Sequence, residues 1–148
     1  MGMFDSFNVN ASGLTAQRYR MDVISENVAN ANTTRTEDGT PYVRKVVTFS
    51  EKEGNSSSFS TIFGKATGRY QGHGVKVSGT YEDTSTEGHK VYDPAHPDAD
   101  DDGYVTYPNV NIITEMTNLI DASRSYEANA TAFDASKSMA QQGLQMGK

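Results

Sequence analysis

Carboxylates are the most concentrated chemical groups in this chain. Asp98, Asp100 and Asp102 stand at alternate positions, followed by Gly103 and, two residues on, Val105. Carboxylates at loop positions 1, 3 and 5, glycine at 6 and an aliphatic residue at 8 make the first part of an EF-hand calcium loop. The second part fails. Position 12 is Asn109, which cannot supply a bidentate carboxylate, and Pro108 precedes it. His96-Pro97 also blocks the amphipathic helix that should lead into such a loop. The Asp98–Thr106 segment is therefore read as a hydrated turn that exposes its charges, with calcium-dependent binding kept as the alternative function.

Other chemistries find less support. His73, His89 and His96 each sit in a Gly- or Pro-flanked loop, without the spacing that places metal ligands on one helix face. No Gly-x-Ser-x-Gly nucleophile elbow is present. Gly72-His73-Gly74 is too short and isolated for a phosphate loop, and nothing marks the Glu51/Glu53 pair as a buried glycosidase dyad. The chain has no cysteine, which removes disulfides, thiol catalysis and thiolate metal sites. Its formal net charge is -6, and Arg44-Lys45 is the nearest approach to a basic patch. Nucleic-acid binding needs clustered cations, so that partner is excluded. The reading assigns no enzyme activity, no catalytic or metal residue, no cofactor and no small-molecule substrate.

What remains is the elements. From Phe7 the apolar residues recur every seventh position, at Leu14, Met21 and Val28, with Ala11, Ile24 and Ala31 widening the stripe. That period is helical. It predicts a helix from about Asp5 to Ala31, about 40 Å long. Gly13 lies inside it, either as a mild defect or as a point of close approach by a neighbour. Asn30 and Asn32, in the run Asn30-Ala31-Asn32-Thr33-Thr34, suit the helix end, since Asn tolerates a left-handed cap. Residues 37–41 read as a turn and residues 42–49 as a strand. Residues 50–72 read as a long, mobile, Ser- and Gly-rich insertion. Residues 74–81 alternate and give a second strand able to pair with the first. Residues 91–94 and 104–108 look extended, because residues before proline avoid the helical region.

The last segment has the clearest pattern. Ile112, Met116, Leu119, Ser123, Tyr126, Ala130, Phe133, Lys137, Ala140 and Leu144 alternate four and three apart, with Ile113 and Ile120 as a second stripe. The predicted helix runs from about Asn109 to Gln145, with Gly147 as a stop. Covering that seam is worth on the order of 10 kcal/mol. The shorter N-terminal stripe cannot cover it all, so two readings stand: a plain intramolecular helical hairpin, or a helical or ring-like array of several chains. The expected fold is mainly α with a small β part, a coiled-coil-like pair of terminal helices enclosing a β-hairpin and long loops. Residues 1–34 and 109–148 would form a discontinuous assembly domain and residues 35–108 an insertion. No stretch approaches the roughly 18 apolar residues of a membrane span. Residues 1–5 lack the basic and apolar regions of a cleavable secretion signal, so composition alone suggests the cytoplasm.

The blocks Ala11-Ser12-Gly13-Leu14-Thr15-Ala16-Gln17 and Asn27-Val28-Ala29-Asn30-Ala31-Asn32-Thr33 resemble the signature shared by bacterial flagellar axial proteins, those of rod, hook and hook-associated structures. Val91-Tyr92-Asp93-Pro94, His96-Pro97-Asp98-Ala99-Asp100, Gly103-Tyr104-Val105, Tyr107-Pro108-Asn109-Val110, Glu115-Met116 and residues 122–129 are similar to the proximal-rod branch. Residues 51–72 depart from that pattern, being longer and richer in Ser and Gly. The resemblance implies a rod subunit, exported through the flagellar type III apparatus without signal cleavage and placed in the basal body rather than the cytoplasm. It implies partners among other rod proteins, copies of itself, the export apparatus and the membrane-ring base. The expected assembly residues are Phe7, Leu14, Met21, Ile24, Val28, Asn30, Asn32, Ile112, Met116, Leu119, Ile120, Tyr126, Phe133 and Leu144. Of these, the N-terminal apolar set would meet Ile112, Met116, Leu119, Tyr126, Phe133 and Leu144, within one chain and between neighbours.

Overall fold

A computed structural model describes residues 3–52, residue 63 and residues 72–146. Helix α1 spans Met3–Ala29 and helix α2 spans Ile112–Met146. Between them lie two two-stranded sheets, β1 (Lys45–Glu51) with β2 (Val75–Glu82), and β3 (Lys90–Tyr92) with β4 (Tyr104–Thr106). The fold is mainly α with a small β part. The long insertion expected over residues 50–72 falls mostly outside the described residues, and Gly147 lies beyond them as well.

Local chemistry sets each boundary. The Asn-rich end of α1 does not use a left-handed residue, because no non-glycine residue described has positive φ. Instead the Asn30 amide nitrogen donates back to the Glu26 carbonyl at 2.9 Å, and Thr33 Oγ1 donates to Asn30 Oδ1 at 3.2 Å. The freed carbonyls are thus satisfied by side chain and tight turn. Helix α2 starts three residues later than the Asn109 expected. Asn111 is its N-cap, accepting from the backbone N–H groups of Ile113 and Thr114 at 3.0 and 3.2 Å. Asn109 is taken up elsewhere. Its amide donates to the carbonyls of Asp83 and Thr86 at 2.6 and 3.0 Å and accepts from Arg44 N at 2.8 Å.

The first strand also begins later than expected, at Lys45 rather than at Tyr42. Tyr42 is drawn to the tail of α1, where its N–H donates to the Thr33 carbonyl at 3.1 Å. β3 and β4 pair antiparallel, with Val91 opposite Val105 and Tyr92 opposite Tyr104. The extended pieces expected at 91–94 and 104–108 thus form a hairpin of their own, turned through Gly103 at φ 81.

The chain divides into two compact units. One holds residues 1–19, 49–78 and 123–148. There α1 and α2 run antiparallel, with the Phe7 and Phe133 rings edge to face at 5.1 Å and Gly13 against Asn129. A Cβ on Gly13 would lie 2.8 Å from Asn129 Oδ1, so this glycine serves close approach. The start of β2 is pinned on α1 through Ser12, whose hydroxyl donates to the Val9 carbonyl at 2.7 Å and accepts from Val75 N at 3.0 Å.

The second unit holds residues 20–48 and 79–122. Its apolar core is small: Ala31, Tyr42 and Val110 cluster, with Val23, Ile24, Val105 and Ala122 also buried.

Candidate assembly interface

Beside Val105 and Pro108, the fully buried large side chains of the second unit include two polar ones. Asn27 is 0% exposed and Glu115 1%. The Asn27 amide uses all its capacity. Its nitrogen donates to the Lys45 carbonyl at 2.8 Å and to Glu115 Oε2 at 3.0 Å. Its oxygen accepts from Tyr42 OH and from Lys45 N, each at 2.9 Å. An amide paired with both backbone groups of one residue acts as one rung of a β-ladder, so α1 holds the first residue of β1 as a strand would. Lys45 Nζ closes the same corner on Glu26.

Glu115 carries its charge inward, which requires a partner. Arg44 supplies one, donating to Oε1 from Nε at 3.0 Å and from Nη2 at 2.7 Å. Arg44 also faces Asp83 at 3.6 Å. The Asp83 carboxyl is held below the usual carboxylate range by hydrogen bonds from the side chains of Ser85 and Thr86. Burial pushes the Tyr42 phenol up to about 12, helped by the charges of Glu26, Glu115 and Glu82. Tyr42 therefore stays a neutral donor across physiological pH.

The acidic loop has other employment. Asp98 accepts from Thr34 Oγ1 at 2.8 Å and pairs with Arg35 at 3.6 Å, tying the loop to the segment after α1. Asp100 Oδ1 accepts from the backbone N–H groups of Asp102 and Tyr104 at 3.2 and 2.7 Å, shaping the turn. His96 Nδ1 accepts from Asp98 N at 3.1 Å, and His89 stacks on Tyr107 with ring centroids 5.2 Å apart. His73 is half-buried, Glu51 is exposed, and Glu53 lies outside the described residues. Among the described residues no group of three or more His, Asp or Glu is placed to hold a metal ion.

The expected assembly residues divide by burial. Ile24 is buried; Phe7, Leu14, Met21, Val28, Asn30, Leu119 and Phe133 are half-buried. Asn32, Ile112, Met116, Ile120, Tyr126 and Leu144 are exposed, as are Ile113, Met139 and Met146. The covered line of α2 runs through Glu115, Ala122, Asn129 and Ser136, seven residues apart, rather than along the large apolar side chains. Sequence reasoning overlooked Asn27 and Glu115, because it gave burial to apolar residues. The seven-residue spacing of Glu115, Ala122, Asn129 and Ser136 was the available signal.

Helix α2 thus packs Phe133 on Phe7 and half-buries Leu119, but leaves Ile113, Met116, Ile120, Met139 and Leu144 exposed. Known proteins agree on where such a chain belongs. Residues 7–35 match the family described as "Flagella basal body rod protein", and residues 101–146 match "Flagellar basal body rod FlgEFG protein C-terminal". A Bacillus subtilis relative is 47% identical over 152 aligned residues, covering 100% of both chains. One from Borreliella burgdorferi is 46% identical over 97% of each chain, and one from Salmonella typhimurium 38% identical over 100% of each. All three are named flagellar basal-body rod protein FlgC. The chain belongs to the FlgC family. The two segments matched by the rod-protein family models contain most of α1 and all of α2 of this FlgC-family chain. Among the described residues no helix of this FlgC-family chain is long and apolar enough to cross a membrane.

Proposed function

We propose that the chain is a structural subunit of the proximal rod of the bacterial flagellar basal body. It polymerises through its two terminal helices with copies of itself and with other rod proteins, and transmits torque through packed seams rather than through any reactive group. Residues 1–34 and 109–148 act as the assembly part and residues 35–108 as an outward insertion. The chain reaches the rod through the flagellar export apparatus without signal cleavage, and works in the periplasmic and cell-wall zone above the membrane ring.

One observation carries this reading beyond family membership. Ile113, Met116 and Ile120 form a stripe at helical spacing on α2 and are 78%, 55% and 54% exposed. Three large apolar side chains on one face are costly in water and gain roughly 1.5–3 kcal/mol each when covered. The test is Ile120→Asp, because Ile120 contributes little to the fold of the single chain. Swimming should be lost while the chain is made at its usual level and melts at its usual temperature. Normal motility would overturn the reading.

A further inference from the structure

The hairpin of β3 and β4 has two edges, and the chain closes only one of them. Val91 stands opposite Val105. On either side of that pair, Asp93 N donates to the Gly103 carbonyl at 3.0 Å and Tyr107 N to the His89 carbonyl at 2.9 Å. Bonded and unbonded pairs alternate along an antiparallel ladder. His89, Val91 and Asp93 therefore bond across the hairpin, while Lys90 and Tyr92 turn their N–H and C=O groups outward. On the β4 side the outward groups of Tyr104 are taken by Asp100. Its Oδ1 accepts from Tyr104 N at 2.7 Å, and its N–H donates to the Tyr104 carbonyl at 2.9 Å. Pro108, which has no N–H to offer, ends that edge. The β3 edge is open. Among the described residues no hydrogen bond reaches the backbone of Lys90 or Tyr92, and every residue of the strand is exposed.

The side chains beside this edge are of two kinds. Tyr92 and Tyr104, a cross-strand pair, share one face of the hairpin with ring centroids 5.2 Å apart, and are 64% and 42% exposed. The Tyr92 ring lies over the turn, since a Cβ on Gly103 would fall 3.0 Å from its Cε2. Asp101 and Asp102 immediately precede that glycine. Both are exposed, and neither joins an ion pair among the described residues. An open strand edge, an aromatic face and uncompensated carboxylates thus lie within one hairpin of the second unit.

We propose that β3 receives, as an added strand, an extended segment of a different protein that carries Arg or Lys. A strand laid at about 4.8 Å from β3 bonds the outward groups of Lys90 and Tyr92. It also sets one of its side chains beside Tyr92 on the aromatic face. A cation there comes within about 6 Å of the ring and reaches the carboxylates of the turn. β3 is only 3 residues long, so backbone bonds fix the register while the ring and the carboxylates select the partner. A second copy suits the edge less well. Each chain has a net charge of -6, and β3 paired with β3 would close as a two-fold dimer. Neither terminal helix takes part, so the contact stands apart from the rod-subunit reading.

The test is photocrosslinking of the full chain in the cells that make it. Photoreactive p-benzoylphenylalanine in place of Tyr92 keeps an aromatic ring on that face. After irradiation the adduct is digested and its peptides sequenced by mass spectrometry. The expected adduct joins a different protein, in a peptide with Arg or Lys beside the attachment point. Lys90→Pro removes one outward N–H without touching the β3–β4 ladder and should cut the yield about tenfold. Lys90→Ala, which keeps the backbone groups, should leave the yield unchanged. Asp101→Lys with Asp102→Lys reverses the charge on an exposed turn and should also cut the yield about tenfold. That double substitution decides the matter if Lys90→Pro destabilises the hairpin. No adduct, an adduct with a second copy alone, or a partner peptide without a cation overturns the proposal. So does a yield that the charge reversal leaves unchanged, or one that a folded Lys90→Pro chain retains.

Discussion

Asn27 shows how much a single side chain can decide. Its four hydrogen bonds join a strand backbone, a phenol and a buried carboxylate, so no other residue type satisfies all of them. Asn27→Asp keeps the shape but turns the donor nitrogen into a third acceptor beside Glu115 Oε2. The expected cost at neutral pH is more than about 3 kcal/mol, because a buried charge then faces a like charge. It should exceed the cost of Asn27→Ala. Folding raises the pKa of the introduced carboxyl, so its folded form is best kept protonated. The extra loss should be small below the unfolded value of about 4 and grow as pH rises. Melting temperatures of the variant and the parent across acidic pH test this; an Asn27→Asp penalty independent of pH would contradict it.

Tyr42 makes the same argument at alkaline pH. Its folded pKa is raised to about 12, against an ordinary value of about 10. Its contribution is whole below about pH 10 and is lost as pH rises through about 12, amounting to about 2 kcal/mol. Tyr42→Phe should be less stable than the parent at neutral pH, and that gap should shrink over this window. Denaturant midpoints measured at neutral and alkaline pH supply the comparison.

At the scale of elements, glycine does two different jobs, and substitution separates them. Gly39 and Gly74 both have positive φ, 79 and 97, but nothing lies within 4 Å of a Cβ built on Gly39. A Cβ on Gly74 would fall 2.2 Å from Ser12 Oγ. Gly39→Ala should therefore cost about 1 kcal/mol of backbone strain alone. Gly74→Ala should cost about 2–3 kcal/mol, since Ser12 must also release Val75 N. Urea unfolding of the two variants distinguishes them, and equal losses would contradict the pinning of β2 on α1. The existence and approximate ends of both helices are legible in the apolar spacing. Their true ends are not. Asn109 and Tyr42 look like parts of regular elements until the partners that draw them away, Asp83, Thr86 and Thr33, are known.

For the whole molecule, burial and apolarity have partly come apart. Ala122 is 0% exposed while Ile120, two residues earlier, is 54% exposed. Ile120→Asp should change the stability of the isolated chain by no more than about 0.5 kcal/mol. Ala122→Asp should cost at least about 3 kcal/mol, since an unpaired charge would enter a filled site. The sharper contrast is functional. Both substitutions should stop swimming, but only Ile120→Asp should leave a folded monomer by circular dichroism.

Helical period is a local property. It is written in neighbours three, four or seven positions apart, and the sequence alone determined it. The same sequence determined the pair of long terminal helices, the extended segments between them and, through its motifs, the resemblance to flagellar axial proteins. Only the tertiary structure decided that Asn27 and Glu115 are fully buried in the second unit. It also decided that Asp98 ties down the segment after α1, and that Ile113, Met116 and Ile120 of α2 are exposed. The reason is physical. A polar side chain can be buried only when its partners are in place, and those of Asn27 come from residues 15 to 88 positions away. No local pattern records such a pairing; the closed chain does.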